Sequence, residues 1–140
     1  MLRIGVIGYG YWGPNIVRNF NAIDGAKVVS LCDVNENVLS KASKLYPATK
    51  TSMDVMDILS SKDIDAVAII TPVYTHFELA KKALQNGKHV FVEKPFTSTV
   101  AQAEELVDLA SKKNLQIMVD HTFLFTGAVK KIKQLVDEGQ

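Results

Sequence analysis

Glu93, Lys94 and Pro95 follow directly on the apolar run His89–Val92. A carboxylate next to an amine at the end of a buried segment can hold a hydroxyl and take its proton. Pro95 keeps the preceding backbone extended and stops the run. By composition alone an exposed Glu-Lys turn is the better reading, so the pair gains meaning only from what surrounds it. A second group is more explicit. Gly8-Tyr9-Gly10-Tyr11-Trp12-Gly13 matches G-x-G-x-x-G, directly after "RIGVI" and directly before "PNIVRNF". Gly8 permits a tight turn, Gly10 lets the backbone approach a pyrophosphate, and Gly13 lets the following helix lie close to the strand. The expected donors are the backbone amides around Tyr11 and Trp12, helped by the positive end of the helix. The side chains of Tyr11 and Trp12 suit either a cover over a ligand or ordinary surface aromatics. A glycine-rich turn with no ligand is the alternative. No Gly-Lys-Ser/Thr follows, which excludes a P-loop.

Asp33 lies about 20 residues beyond Gly13, where a dinucleotide fold places an acid on the adenosine ribose hydroxyls. A carboxylate there repels a 2′-phosphate, and Val34 and Asn35 offer no compensating arginine. The expected cofactor is therefore NAD, with NADP the weaker candidate. The alternative is that Asp33 merely caps the next helix. Further candidates follow later apolar runs: Thr71 and Pro72 along the cofactor, His76 in the first turn of the next helix, and Asp120-His121, of which His121 is the site candidate. His76 and His121 have alternative readings as a first-turn residue and a helix-entry residue. His89 sits at the other end of its run and reads as solvated. Cys32 reads as a small buried hydrophobe. As the only cysteine it excludes an internal disulfide and a cysteine-rich zinc site, and no metal is expected.

These residues need elements that bring them together. Short β-branched runs occur at Arg3–Ile7, Lys27–Cys32, Ala66–Ile70, His89–Val92 and Leu115–Val119, with a weak extra strand near Ala48–Lys50. Continuous apolar runs indicate strands buried on both faces. Helical spacing fills the intervals. Thr75-His76-Phe77-Glu78 matches a capping box, with Leu79, Ala80, Ala83 and Leu84 behind it. Thr99-Val100-Ala101-Gln102 is a second box, opening a helix with Ala103, Leu106, Val107 and Ala110 inward. Pro14 falls in the first turn of the first helix, and Gly25, Gly87 and Gly139 fall just past helix ends. The alternation predicts an α/β fold: a doubly wound parallel sheet (Rossmann fold) of about six strands in the order 3-2-1-4-5-6, with helices on both faces.

The chain has 140 residues and a net charge of +1, so neither a nucleic-acid nor a membrane-surface partner is indicated. Its N-terminus, "MLRIGVIG", runs into a strand-and-turn pattern with no signal-peptide cleavage site. The expectation is a soluble cytoplasmic protein.

"IGVIGYGYWGPNIVRNF", "TPVYTHFELAKKAL", "KHVFVEKPF" and "HTFLFTGAVKKIKQL" together resemble the Gfo/Idh/MocA oxidoreductases. The resemblance covers essentially the whole chain, and Glu93-Lys94-Pro95 is its most specific part. "GYWGPN" and "HTFLF" are most similar to the nucleotide-sugar 3-dehydrogenases acting on UDP-N-acetylglucosamine-type sugars. The resemblance implies that Gly8, Gly10 and Gly13 form the dinucleotide turn and that Asp33 is the ribose acid. It implies that Glu93 helps position the cofactor ribose, that Lys94 assists proton transfer, and that the Lys94–Pro95 peptide is cis. Members of that family are roughly twice this length, and their second domain supplies most of the substrate pocket. The expected organisation is therefore a Rossmann domain over residues 1–125 and, over 126–140, a helix leading toward a substrate domain absent from this chain. The expected function is the NAD-binding half of a sugar dehydrogenase that associates with itself in full-length form, and is inactive alone. A non-enzymatic dinucleotide-sensing module, and an inositol- or dihydrodiol-type dehydrogenase, are the alternatives.

Overall fold

The computed structural model describes residues 1–140. Six parallel strands alternate with helices: β1 (Leu2–Ile7), α1 (Gly13–Asn21), β2 (Ala26–Cys32), α2 (Glu36–Leu45), β3 (Lys50–Ser52), α3 (Met56–Leu59), β4 (Ala66–Ile69), α4 (Val73–Gln85), β5 (His89–Val92), α5 (Val100–Lys113) and β6 (Ile117–Val119). A 3-10 turn (Thr122–Phe125) and α6 (Gly127–Asp137) complete the chain. The sheet order is β3-β2-β1-β4-β5-β6, the doubly wound order expected from the alternation of runs.

Each central strand is buried on both faces, which is why its sequence is continuously apolar. Ile4, Val6, Ala66 and Ala68 point into one layer with Ile16 and Val17 of α1 and Leu39 and Ala42 of α2. Val67, Ile69, Val90 and Val92 point into the other, with Ile58 and Leu59 of α3, Ala80 and Leu84 of α4, and Leu106 of α5. Gly5 has a role the runs did not reveal. A Cβ there would stand 2.5 Å from Ile58 Cγ2, so its lack of a side chain lets α3 approach β1.

Register fixes what matters for the site. Ile7 pairs with Cys32 and with Ile69, Cys32 with Ser52, Ile69 with Val92, and Val92 with Val119. One row of residues therefore crosses the carboxyl edge of the whole sheet. Gly8, Asp33, Ile70, Glu93 and Asp120 form the next row, just beyond it.

Several expectations are corrected. Thr75 does not open a capping box. The cap position of α4 is Pro72 in extended backbone, and the helix begins at Val73. Pro72 cannot sit inside the helix but suits its entrance, and Thr75 instead turns its hydroxyl back to the Pro72 carbonyl at 2.8 Å. Thr99 does cap α5, accepting from the Gln102 amide at 3.3 Å. In return Gln102 Oε1 accepts from the Ser98 amide, one residue outside the usual box. Val107 of α5 is 55% exposed and points outward, unlike Leu106 and Ala110. The short strand lies at Lys50–Ser52, because the Thr49 amide closes a turn onto Tyr46 and its hydroxyl bonds the Val28 carbonyl. Leu115 lies outside β6, in the turn that closes the end of α5. Asn114 takes the left-handed conformation there, and the Leu115 amide bonds back to Ala110. Gly87 ends α4 in the same way, with φ 74° and the Lys88 amide on the Ala83 carbonyl.

Candidate functional site

The glycine turn leaves β1 at Gly8. Its φ of 97° is open to glycine alone, and a Cβ would stand 2.6 Å from the Ile70 carbonyl oxygen. Gly8 is thus held between β1 and the end of β4. At Gly10 nothing lies within 4 Å of an added Cβ. Its missing side chain serves no contact within the chain and leaves open space above the backbone, as the approach of a ligand requires. Gly13 was expected to bring helix and strand together. A Cβ there would instead meet the Gly8 carbonyl oxygen at 2.7 Å, so α1 is pressed against the turn itself.

Asp33 ties this turn to β2. Its Oδ2 accepts from the Tyr9 amide at 2.6 Å and its Oδ1 from the Asn35 amide at 2.9 Å. The side chain that caps α2 is Asn35, accepting from the Asn37 amide at 3.0 Å. Asp33 is therefore released from that duty, and each of its oxygens keeps a further lone pair for outside donors. The amides of Tyr11 and Trp12 donate to nothing within the chain, so two backbone donors stand at the start of α1. The Tyr11 side chain is 95% exposed and that of Trp12 42%. Tyr9, which the motif leaves unspecified, is buried against α1 and α2 and anchors the turn.

Between the ends of β1, β2 and β4 lies a cavity of about 590 Å³, bordered by Gly8, Gly10, Asp33, Val34, Thr71 and Pro72. Val55 of α3 and Tyr74, Glu78 and Leu79 of α4 complete its wall. Those four were not anticipated. Tyr74 and Glu78 are four residues apart on one helix face, a spacing visible in sequence only once the start of α4 is known. Burial pushes the Cys32 thiol at this wall up to about 11, in keeping with an inert buried group.

The other candidates stand one and two strands further along the same edge, outside that cavity. Lys94 is exposed, and the Lys94–Pro95 peptide is cis. Glu93 is 9% exposed, and its Oε2 accepts from the Lys94 amide at 3.1 Å. Its Oε1 is buried without a donor. Burial, and then the neighbouring Asp120 carboxyl, raise Glu93 above the usual carboxylate range. Asp120, 7% exposed, follows β6 as Glu93 follows β5. A proton held between the two would give Oε1 its missing partner. His121 is exposed, its amide bonded to the Val119 carbonyl. His76 is 1% exposed and faces the chain's own backbone, and Thr71 bonds the Thr75 hydroxyl at 2.6 Å. At the opposite edge, His89 Nδ1 accepts from the Gln116 amide at 3.0 Å.

The residues fit a dinucleotide. The turn offers unshared amides, Gly10 leaves clearance for a pyrophosphate, and Asp33 presents acceptors for ribose hydroxyls. No cluster of metal-ligating side chains is present, and no helix is long and apolar enough to cross a membrane.

Comparison with known proteins agrees with this geometry. A family model described as "Oxidoreductase family, NAD-binding Rossmann fold" matches residues 2–121. The chain is 34% identical over 139 residues to the 2,7-anhydro-N-acetylneuraminate hydratase of Escherichia coli, covering 99% of the chain and 37% of that relative. A crystal structure of scyllo-inositol dehydrogenase from Lactobacillus casei, with bound NAD(H) and scyllo-inositol, superposes with a TM-score of 0.89 at 30% identity. It covers 99% of this chain and 42% of that one. Biliverdin reductase from Synechocystis, in complex with biliverdin and NADP+, gives 0.90 at 28% identity, covering 97% and 43%. The chain thus spans well under half the length of these relatives.

Proposed function

This chain belongs to the Gfo/Idh/MocA oxidoreductase family, and from that premise we propose that it is the NAD-binding half of a dehydrogenase that moves a hydride between a carbinol carbon of a sugar-type substrate and a nicotinamide cofactor. One observation carries the reading. The sheet register sets Asp33, Gly8, Ile70 and Glu93 in that order along the carboxyl edge, with Gly10 open above the cavity. Ligands of open α/β sheets bind at that edge, where the strand order reverses between β1 and β4.

The bound nicotinamide would supply the hydride acceptor or donor. The chain's own residues bind and orient. Amides at the start of α1 receive the pyrophosphate charge, aided by the helix dipole. Asp33 accepts from the adenosine ribose hydroxyls and disfavours a 2′-phosphate, which supports NAD over NADP. Gly8, Thr71 and Pro72 shape the wall, and Gly13 lets α1 close against the turn. Glu93 holds the Lys94 amide, and Lys94, exposed on the same edge beyond the cavity, would take or return the hydroxyl proton through its amine. The sugar class is supported by the names of the relatives, which include an inositol dehydrogenase and an anhydro-sugar hydratase. Nucleotide sugars are a narrower form of the same proposal, carried by the "GYWGPN" and "HTFLF" wording. The substrate pocket and any self-association belong, on this reading, to a second domain, and the present chain binds dinucleotide without turnover.

Titration of NADH fluorescence tests it. The expectation is saturable binding, weakened by Asp33→Ala. Fluorescence that does not change on titration, for the natural chain as for the variant, would falsify the cofactor assignment.

A further inference from the structure

His76 lies in the first turns of α4, 1% exposed, with both ring nitrogens against main-chain carbonyls. Nδ1 is 3.0 Å from the Pro95 oxygen and Nε2 is 2.7 Å from the Thr71 oxygen. The two carbonyls belong to different loops. Thr71 follows β4 and borders the cavity, while Pro95 closes the turn after β5 that carries Glu93 and Lys94. Neither carbonyl accepts from a backbone amide, so the imidazole is the partner of both. The last ladder bond between these strands, from the Glu93 amide to the Ile69 carbonyl, lies before either loop begins. Beyond it the loops have no backbone link, and a rigid ring spans the gap. A neutral imidazole carries one N–H and donates to one carbonyl at a time; a second proton lets it donate to both.

We propose that His76 is a positioning residue: its ring clasps the Pro95 carbonyl to the Thr71 carbonyl and so sets where the Glu93–Lys94 pair stands relative to the Thr71–Pro72 wall of the cleft. It does so from beneath the site. Ordering a loop before a ligand arrives lowers the entropy lost on binding, and here the ordered turn is the one beside the nicotinamide end. The consequence for a ligand rests on the dinucleotide reading above; the clasp itself does not.

Two substitutions separate the ends of the ring. The carboxamide nitrogen of His76→Asn reaches where Nδ1 stands and keeps the Pro95 bond. That of His76→Gln reaches where Nε2 stands and keeps the Thr71 bond. In amide spectra of the unliganded chain, the Lys94 and Phe96 signals are expected near their natural positions in His76→Asn and displaced in His76→Gln. With ligand, His76→Gln is expected to weaken NADH binding about tenfold, the value of one lost hydrogen bond, and His76→Asn by less than about threefold. ADP-ribose, which lacks the nicotinamide, should bind all three proteins alike. A side chain that only fills space predicts the larger Gln to serve at least as well as Asn, with both ligands affected equally, and that result overturns the clasp. If the natural chain binds neither ligand, the dinucleotide reading fails, and the amide pattern alone decides on His76. If a variant does not fold, the natural chain decides. Ring N–H groups coupled through hydrogen bonds to both the Pro95 and the Thr71 carbonyl carbons support the clasp, and a ring bonded to only one of them overturns it.

Discussion

Gly8 and Gly10 stand two residues apart in one motif, yet the structure gives them different work, and alanine at each should separate folding from binding. At Gly8 the penalty has two parts. A φ of 97° is hostile to any side chain and costs roughly 1–2 kcal/mol. The added methyl also stands 2.6 Å from the Ile70 oxygen and 2.8 Å from its carbonyl carbon, so backbone must move. Together these amount to about 2–4 kcal/mol, within the range of strained and overpacked sites. For a domain of this size that lowers Tm by about 6–16 °C. At Gly10 no atom lies within 4 Å of the new methyl and φ is not in the left-handed region. Gly10→Ala should leave stability unchanged or raise it by up to about 1 kcal/mol, through the entropy of the unfolded chain. The same methyl fills the clearance a pyrophosphate needs, so NADH affinity should fall by about tenfold or more, ~1.4 kcal/mol. Thermal unfolding followed by circular dichroism and NADH fluorescence titration read the two effects independently. A Gly10→Ala protein that binds NADH like the natural chain would refute the argument that the open space at this turn is reserved for a ligand. A Gly8→Ala protein of unchanged Tm would refute the account of the turn's strain.

Three further outcomes are expected. Asp33→Asn removes the charge from a carboxylate bonded to the Tyr9 and Asn35 amides, so NADH should bind about tenfold more weakly and the preference over NADPH should shrink; isothermal titration with both cofactors checks this. Because Glu93 is raised above its unfolded value near ~4.3, its ionisation opposes folding, and stability should fall as pH rises through the raised value. Urea midpoints at pH 4 and pH 7 should therefore show Glu93→Gln gaining on the natural chain at the higher pH, and an unchanged difference would contradict the assignment. Lys88 is 4% exposed, its amine bonding the Ser61 and Ile64 carbonyls, and burial lowers its pKa. Lys88→Met should cost about 2–3 kcal/mol by leaving two carbonyls without their charged donor, with NADH affinity intact because Lys88 precedes β5 at the opposite edge.

What was legible in the sequence was what a single segment carries. Continuous β-branched runs gave β1, β2, β4 and β5 within a residue or so, and the alternation with helices gave the strand order. Gly8, Gly10 and Asp33 were visible because their types answer to backbone and charge requirements of one turn. What stayed hidden depends on two segments meeting. Thr75 and Glu78 mimic a capping box, but the helix had already started behind Pro72. Val107 keeps helical spacing with Ala103 and Ala110 yet falls on the outer side of the stripe. Nothing in "GYG" announces that the Tyr9 amide is held by Asp33, or that Gly5 makes room for Ile58. His76 was singled out for its place after Thr71-Pro72, but its partner Pro95 lies 19 residues away and appears only when β4 and β5 pair.

Helix α6 closes the chain with no buried residue, its main neighbour being the 3-10 turn, and with Ile132 60% and Val136 65% exposed. Eleven residues are too few for lasting helicity in water, where roughly 12–15 are already marginal. Pairs such as Lys133–Asp137 and Gln134–Glu138 add only about 0.2–0.5 kcal/mol each. Its amides should therefore exchange with solvent deuterium long before those of β1 and β4, opening on their own while the sheet stays closed. That contrast makes α6 a gauge within the molecule. Any surface that comes to rest on its apolar stripe will slow exchange in this helix first, and leave the sheet's slow exchange as the internal standard.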